Sequence, residues 1–180
     1  IKSSTFKLDD IIFNFQPDII IILAASKRQY GDSNELKILN NQITDNISES
    51  LRKHNIYTIY ISSCAVYGEK NNQDLFTETS PLIPTSEYGL HKVYSEKVYK
   101  ESLDANKLLI IRPPLIYSTF DKKGYQPGRF INDAFTLGKI ELWGEGFELR
   151  EFLNILDASY LIHLFAIRKI TGLINLVSGK

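Results

Sequence analysis

The chain has 180 residues, 43% apolar and 23% charged, which is ordinary globular composition and enough length for one domain with a real core. Lysine plus arginine and aspartate plus glutamate number 21 each, so the net charge is zero and the basic excess of a phosphate-tracking nucleic-acid binder is absent. The longest strongly apolar run, Ile19 to Ala25, is far short of the roughly 20 residues that a membrane helix needs, and no signal-peptide pattern opens the chain.

In chain order, Asp18 to Ala25 is a continuous apolar run after Pro17, the pattern of a strand buried on both faces of a parallel sheet. Leu36 to His54 carries Leu39, Ile43, Ile47 and Leu51 at four-residue steps and predicts an amphipathic helix. Ile56 to Ser62 is the next β-rich run, followed by a long polar segment, Glu69 to Ser86, with Pro81 and Pro84. Tyr88 to Leu103 reads as a helix, and Leu108 to Arg112 as a buried strand stopped by Pro113-Pro114. Phe130 to Leu137 is a helix, Ile140 to Trp143 a short strand, Ala158 to Arg168 a helix and Leu173 to Val177 a last strand. Alternating strand and helix argue for βαβ units and an open parallel sheet with helices on both faces. Ligands of such sheets bind beyond the carboxyl ends of the strands, where Ala24-Ala25-Ser26, Ser62-Ser63-Cys64 and Pro113-Pro114-Leu115 stand. The chain opens without Met and closes just after a strand-like run, so both ends are expected to be cut from a longer protein.

Tyr88 and Lys92 are four apart, which on a helix puts the ammonium beside the phenol. A free tyrosine titrates near 10 and is a poor base at neutrality; a nearby cation favours the phenolate. Bringing it to near 7 needs about 4 kcal/mol, which a lysine and a cofactor's positive ring could supply in a dry cleft. Ser63, at the end of the preceding strand, offers a hydroxyl to the substrate oxygen whose proton Tyr88 would move, although serine-rich strand ends before glycine turns are common. His54, His91 and His163 have no partner at metal spacing and read as surface or packing residues, so no metal site is expected. Cys64, the only cysteine, can form no internal disulfide, which fits a reducing cytoplasm.

The run Tyr60-Ile-Ser-Ser-Cys-Ala-Val-Tyr-Gly68, then Thr77-Glu-Thr-Ser-Pro81, then Tyr88-Gly-Leu-His-Lys92 resembles the extended short-chain dehydrogenase/reductases, and more narrowly the NAD-dependent epimerase/dehydratase family. Pro17 to Ala25, Asn40-Asn-Gln-Ile-Thr44, Arg112-Pro113 through Tyr117, and Leu142-Trp-Gly-Glu-Gly146 through Arg150-Glu-Phe152 and Asp157 agree in order and spacing, so the resemblance spans about residues 17 to 178. It implies a Rossmann-like doubly wound α/β sheet with part of a small substrate lobe. Residues 1–125 would be a partial dinucleotide-binding domain, 126–156 part of the substrate lobe, and 157–180 a helix and strand returning to the first domain.

The resemblance makes Tyr88 the general acid/base, Lys92 its partner and a ligand of the nicotinamide ribose, and Ser63 the catalytic hydroxyl. Leu23, Ala24, Ala25, Asn40 and the backbone around Ile61-Ser62 would line NAD or NADP, with Pro113 to Leu115 at the nicotinamide edge. Arg150 would bind the diphosphate of a nucleotide-sugar, with Ser63, Cys64 and Leu115 on the substrate side. Trp143 could flank the substrate's base or pack in the core. Homodimerisation through the helices at Leu36–His54 and Tyr88–Leu103 is implied as well.

Departures sharpen the expectation. The family's amino-terminal Gly-rich phosphate turn is absent, and with it the acidic residue that selects NAD over NADP. Ile43 replaces the Gly of the Asn-x-x-Gly-Thr pattern. Leu115 stands where epimerases and dehydratases often carry Asn. Cys64 and Ala65 stand where 4,6-dehydratases carry an Asp-Glu pair, which argues against water elimination. Cys64 itself admits two readings, a small buried packing residue or a second acid/base. The sum is an NAD(P)-dependent nucleotide-sugar epimerase or ketoreductase. The alternatives are a non-catalytic cofactor-binding sensor or scaffold of the same fold, and a reductase of a non-sugar carbonyl.

Overall fold

The isoleucine-rich and leucine-rich runs pair side by side because each is apolar on both faces. In the computed structural model, which describes residues 8–25, 32–68, 75–118, 127–142 and 150–179, strands β1 (Ile19–Ile22), β2 (Tyr57–Ile61), β3 (Leu108–Arg112) and β6 (Gly172–Asn175) form a four-stranded sheet in the order β1-β2-β3-β6. Every pairing in it is parallel: Ile19 lies opposite Tyr57, Thr58 opposite Leu108, and Leu109 opposite Gly172. Short strands β4 (Leu115–Tyr117) and β5 (Phe152–Asn154) pair in parallel as a second sheet. Helices α1 (Leu8–Phe15), α2 (Asn34–His54), α3 (Glu87–Ser102), α4 (Gly128–Leu137) and α5 (Ile155–Arg168) complete the Rossmann-like fold.

Alternate strand residues point to opposite faces, and the two cores divide accordingly. Tyr60, Leu108 and Ile110 pack with Ile22 and with Leu51, Tyr99 and Leu103 of the α2–α3 side. Tyr57, Ile59, Leu109 and Ile111 pack with Ala158 and Ala166 of α5 and with Leu153 of β5. Ile59, Leu109 and Ile111 are fully buried, as strands covered on both faces should be.

Side-chain caps set the helix starts. Ser33 accepts from the Leu36 amide at 3.3 Å, Ser86 from Gly89 at 3.0 Å and Asn154 from Leu156 at 2.9 Å. These caps begin α2, α3 and α5 one to three residues before the apolar pattern does. Two expectations are corrected. The β1 run is not buried on both faces among the described residues: β2 is its one strand partner there, and Ile21 is 43% exposed. Of the strand expected at Ile140 to Trp143, the described residues Ile140 to Leu142 form none, and Ile140 and Leu142 are 50% and 59% exposed; the pairing strand among the described residues is β5 instead.

Between α2 and α3 runs a polar seam. The Thr44 and Ser95 hydroxyls meet at 2.7 Å, and His91 Nδ1 lies 3.2 Å from Asn41 Oδ1. His91 is 1% exposed, so the sequence reading of a packing histidine holds for it. Burial, helped by the charge of Lys92, lowers its pKa from 6.5 to about 4. The unfolded chain therefore takes up this proton first as pH falls. Stability is lost as pH drops through the window from 6.5 to about 4. In denaturant titrations of the full-length protein, His91→Gln should lose about 2 kcal/mol less than wild type between pH 7 and pH 5.

Candidate active site

The site forms where β2 and β3 run out. The ladder extends one residue past β2, with the Ser62 amide donating to the Ile111 carbonyl at 2.7 Å. Ser63 then caps a 3₁₀ turn, Cys64–Tyr67, its hydroxyl oxygen accepting from the Ala65 amide at 3.2 Å. That bond uses a lone pair and leaves the Ser63 proton to be donated elsewhere. The Cys64 amide donates to the Pro113 carbonyl at 2.9 Å, which ties the turn to the end of β3.

α3 starts against this turn. A Cβ on Gly89 would lie 2.6 Å from the Ala65 carbonyl oxygen, so only glycine lets the helix approach this closely. Gly68, which closes the turn at φ +77, would put a Cβ 1.9 Å from the Ile83 carbonyl oxygen. Both glycines flank the turn that carries Ser63. Tyr88, in the first turn of α3, is half-buried and its amide donates to Asp32 Oδ1 at 2.9 Å.

Lys92 follows one helical turn on and is 3% exposed. Its ammonium donates to the Ile61 carbonyl at 2.8 Å and lies 4.9 Å from the Tyr60 ring centroid and 5.5 Å from that of Tyr88. Desolvation brings its pKa down to about 8, against the attraction of Glu96. It thus stays mainly cationic at neutral pH, a positive charge against the phenol ring. An ammonium has three donors, and one goes to Ile61.

Ser62, Ser63, Cys64, Tyr88, Lys92 and Pro113 are thus brought to one end of β2 and β3, with Leu115 opening β4 two residues on. Leu23, 71% exposed, Ala24 and Ala25 leave the carboxyl end of β1, the strand beside β2. Asn40 is buried on α2. The Ser62 hydroxyl is committed inward to Glu96 and its amide to Ile111, which leaves its carbonyl for a ligand. Cys64 is exposed, not a buried packing residue. Its thiol is nevertheless pushed up by desolvation, against the Ser63 hydrogen bond and the Arg150 charge. Arg150 is exposed. Ser26, Trp143 and Gly144 to Gly146 lie outside the described residues. An open pocket of about 390 Å³ between β4, β5 and α5, lined among others by Tyr117, Asn154, Asp157 and Tyr160, contains none of the expected site residues.

Sequence reasoning missed a buried pair beneath the site. Arg112 Nη2 lies 2.6 Å from Glu96 Oε2, both side chains 2% exposed. The available signals were a charged residue ending an apolar strand and a glutamate four residues after Lys92. Among the described residues no group of three His, Cys, Asp or Glu could hold a metal ion, and no helix is long and apolar enough to cross a membrane.

The sheet, the strand-end turn and the Tyr-x-x-x-Lys helix define a dinucleotide-fold protein of the short-chain dehydrogenase/reductase kind. Residues 3–175 match the model of the NAD dependent epimerase/dehydratase family, and the chain belongs to that family. A dTDP-glucose 4,6-dehydratase of Neisseria meningitidis serogroup B is 26% identical over 92% of this chain and 51% of its own length. Among solved structures, dTDP-glucose 4,6-dehydratase of Bacillus anthracis strain Ames in complex with NAD superposes with TM-score 0.80 at 20% identity, covering 96% of this chain and 55% of the other. UDP-glucuronic acid 4-epimerase of Bacillus cereus in complex with UDP-glucuronic acid and NAD gives TM-score 0.79 at 22% identity, over 98% and 58%. The chain spans about half the length of the curated relatives that it matches.

Proposed function

We propose that the full-length protein is an NAD(P)-dependent nucleotide-sugar epimerase or ketoreductase in which Tyr88 moves a hydroxyl proton. The observation that carries this reading is the buried Lys92 ammonium, 5.5 Å from the Tyr88 ring centroid at the end of β2. The residues present fit a dinucleotide. Leu23 leaves β1 exposed and is followed by the small residues Ala24 and Ala25, and Lys92 has donors beyond the one given to Ile61. The bound nicotinamide would supply the hydride exchange with a sugar carbon. Lys92 lowers the cost of the Tyr88 phenolate, Ser63 donates to the sugar oxygen, and Tyr88 takes or returns its proton.

A 4,6-dehydratase is the second reading, favoured by the names of the curated relatives. It asks for carboxyl groups where Cys64 and Ala65 stand, and that is why epimerisation or ketone reduction is preferred. The intact set of Ser63, Tyr88 and Lys92 argues against a sensor or scaffold that had lost turnover, which could hold a ribose with Lys92 but would not need the Tyr88 phenol. Dimerisation through α2 and α3 belongs to the same proposal; Ile38, Leu39 and Leu90 are 49%, 46% and 43% exposed on these helices.

A panel of nucleotide sugars, incubated with the full-length protein and NAD or NADP and followed by NMR, tests the reading; no conversion of any sugar would refute it. Arg150 separates a sugar nucleotide from a simpler carbonyl. The rival reading is a surface ion pair of Arg150, for instance with Glu148 or Glu151, which would contribute little. If Arg150 anchors the diphosphate, Arg150→Ala should weaken nucleotide-sugar binding at least about tenfold and leave dinucleotide affinity unchanged. Calorimetric titration of both ligands reads the two effects separately.

A further inference from the structure

We propose that Glu96, clamped by Arg112, is a positioning residue that holds the strand-end serines and Lys92 in their working arrangement. The proposal rests on the function put forward above. Glu96 lies one helical turn beyond Lys92, so Tyr88, Lys92 and Glu96 form one stripe along α3. Its Oε1 accepts from the Ser62 hydroxyl at 2.6 Å and from Arg112 Nε at 2.9 Å, and its Oε2 from Arg112 Nη2 at 2.6 Å. The residue before Ser62 is Ile61, whose carbonyl Lys92 holds at 2.8 Å. Two charged side chains of α3 therefore grip two successive residues at the end of β2, and the next residue is Ser63.

Arg112 carries the clamp further. Its Nη1 donates to the Tyr67 hydroxyl at 2.8 Å and to the Glu78 carbonyl at 3.4 Å. Tyr67 in turn donates to Asn175 Oδ1 at 2.6 Å and stacks on Phe76, with centroids 4.8 Å apart. The Asn175 amide donates to Glu78 Oε1 at 2.8 Å. One buried guanidinium thus joins the end of β3, the turn after Ser63, the segment at Phe76–Glu78 and the end of β6.

Stability alone does not call for this pair, because a buried ion pair exchanged for apolar side chains of similar volume is often no less stable. What the apolar exchange cannot reproduce is the grip on Ser62 and the negative charge one turn from Lys92. That charge opposes the desolvation of Lys92. The other groups facing Lys92 are Tyr60 from β2 and Tyr88 and His91 from its own helix, and none of them supplies a negative charge at neutral pH.

The test is the paired exchange Glu96→Leu with Arg112→Met in the full-length protein. The expected result is a native fold by circular dichroism and kcat lowered at least about tenfold with KM for the sugar substrate little changed. The Lys92 ammonium, followed by its ¹⁵N resonance, should titrate below its wild-type pKa. Wild-type kcat, or an unchanged Lys92 titration, would overturn the proposal. If the paired variant does not fold, Ser62→Ala cuts the same link without stranding a charge; kcat should then fall several-fold in a folded protein, and an unchanged kcat would overturn the proposal. If wild type converts no nucleotide sugar, the functional reading fails by itself, and the Lys92 titration still decides the positioning claim.

Discussion

Tyr88→Phe in the full-length protein is expected to lower turnover by about 100-fold or more while leaving the fold and the dinucleotide affinity as they were. The substitution removes one oxygen. The Tyr88 amide still donates to Asp32, and Ser86 still caps the helix through Gly89. The ring still lies beside the Lys92 ammonium, which is held from the other side by the Ile61 carbonyl. What is lost is the group proposed to exchange a proton with a sugar hydroxyl, and the Ser63 hydroxyl is far too weak an acid to replace a phenol. Steady-state kinetics beside a thermal melt separates the two effects; more than about a tenth of wild-type kcat would rule out an acid/base role for Tyr88.

Arg112→Met alone should cost about 3–5 kcal/mol of stability. It leaves the Glu96 carboxylate, 2% exposed, without its counter-charge, and it strips a donor from the Tyr67 hydroxyl. Glu96 would then keep only the Ser62 hydroxyl among its present donors. Because the penalty comes from an unpaired charge and not from lost packing, adding Glu96→Leu to Arg112→Met should restore most of the lost stability. Denaturant midpoints of the single and paired variants measure this directly; additive losses would show that Arg112 acts through packing.

Local patterns in the chain were enough for several elements. The four-residue apolar steps of α2 and the β-rich runs of β2 and β3 specify helix and strand without outside help, and β3 was legible to the residue as Leu108–Arg112. Tyr88 and Lys92 were legible as a pair because helix geometry alone fixes residues four apart on one face. α1 was not legible: its eight residues bury only Ile12, and a helix of two turns on its own is marginal. β4 and β5 were not legible either. Each has only three residues, and each is a strand because Leu115 meets Phe152 across a gap of 37 positions in sequence.

By itself, then, the sequence determined the alternation of strands and helices, the parallel sheet that follows from it, and the phenol-ammonium pair on α3, all consequences of short-range periodicity. The order of the described strands, β1-β2-β3-β6, was decided only in space, since no local pattern says which strand lies beside which. Tertiary structure also decided the partnership of Glu96 and Arg112, because the spacing of Glu96 after Lys92 sets its helix face but not its burial or its partner 16 residues on. Burial is a property of the assembled elements, and it is burial that gives this ion pair, and the desolvated Lys92 beside it, their strength.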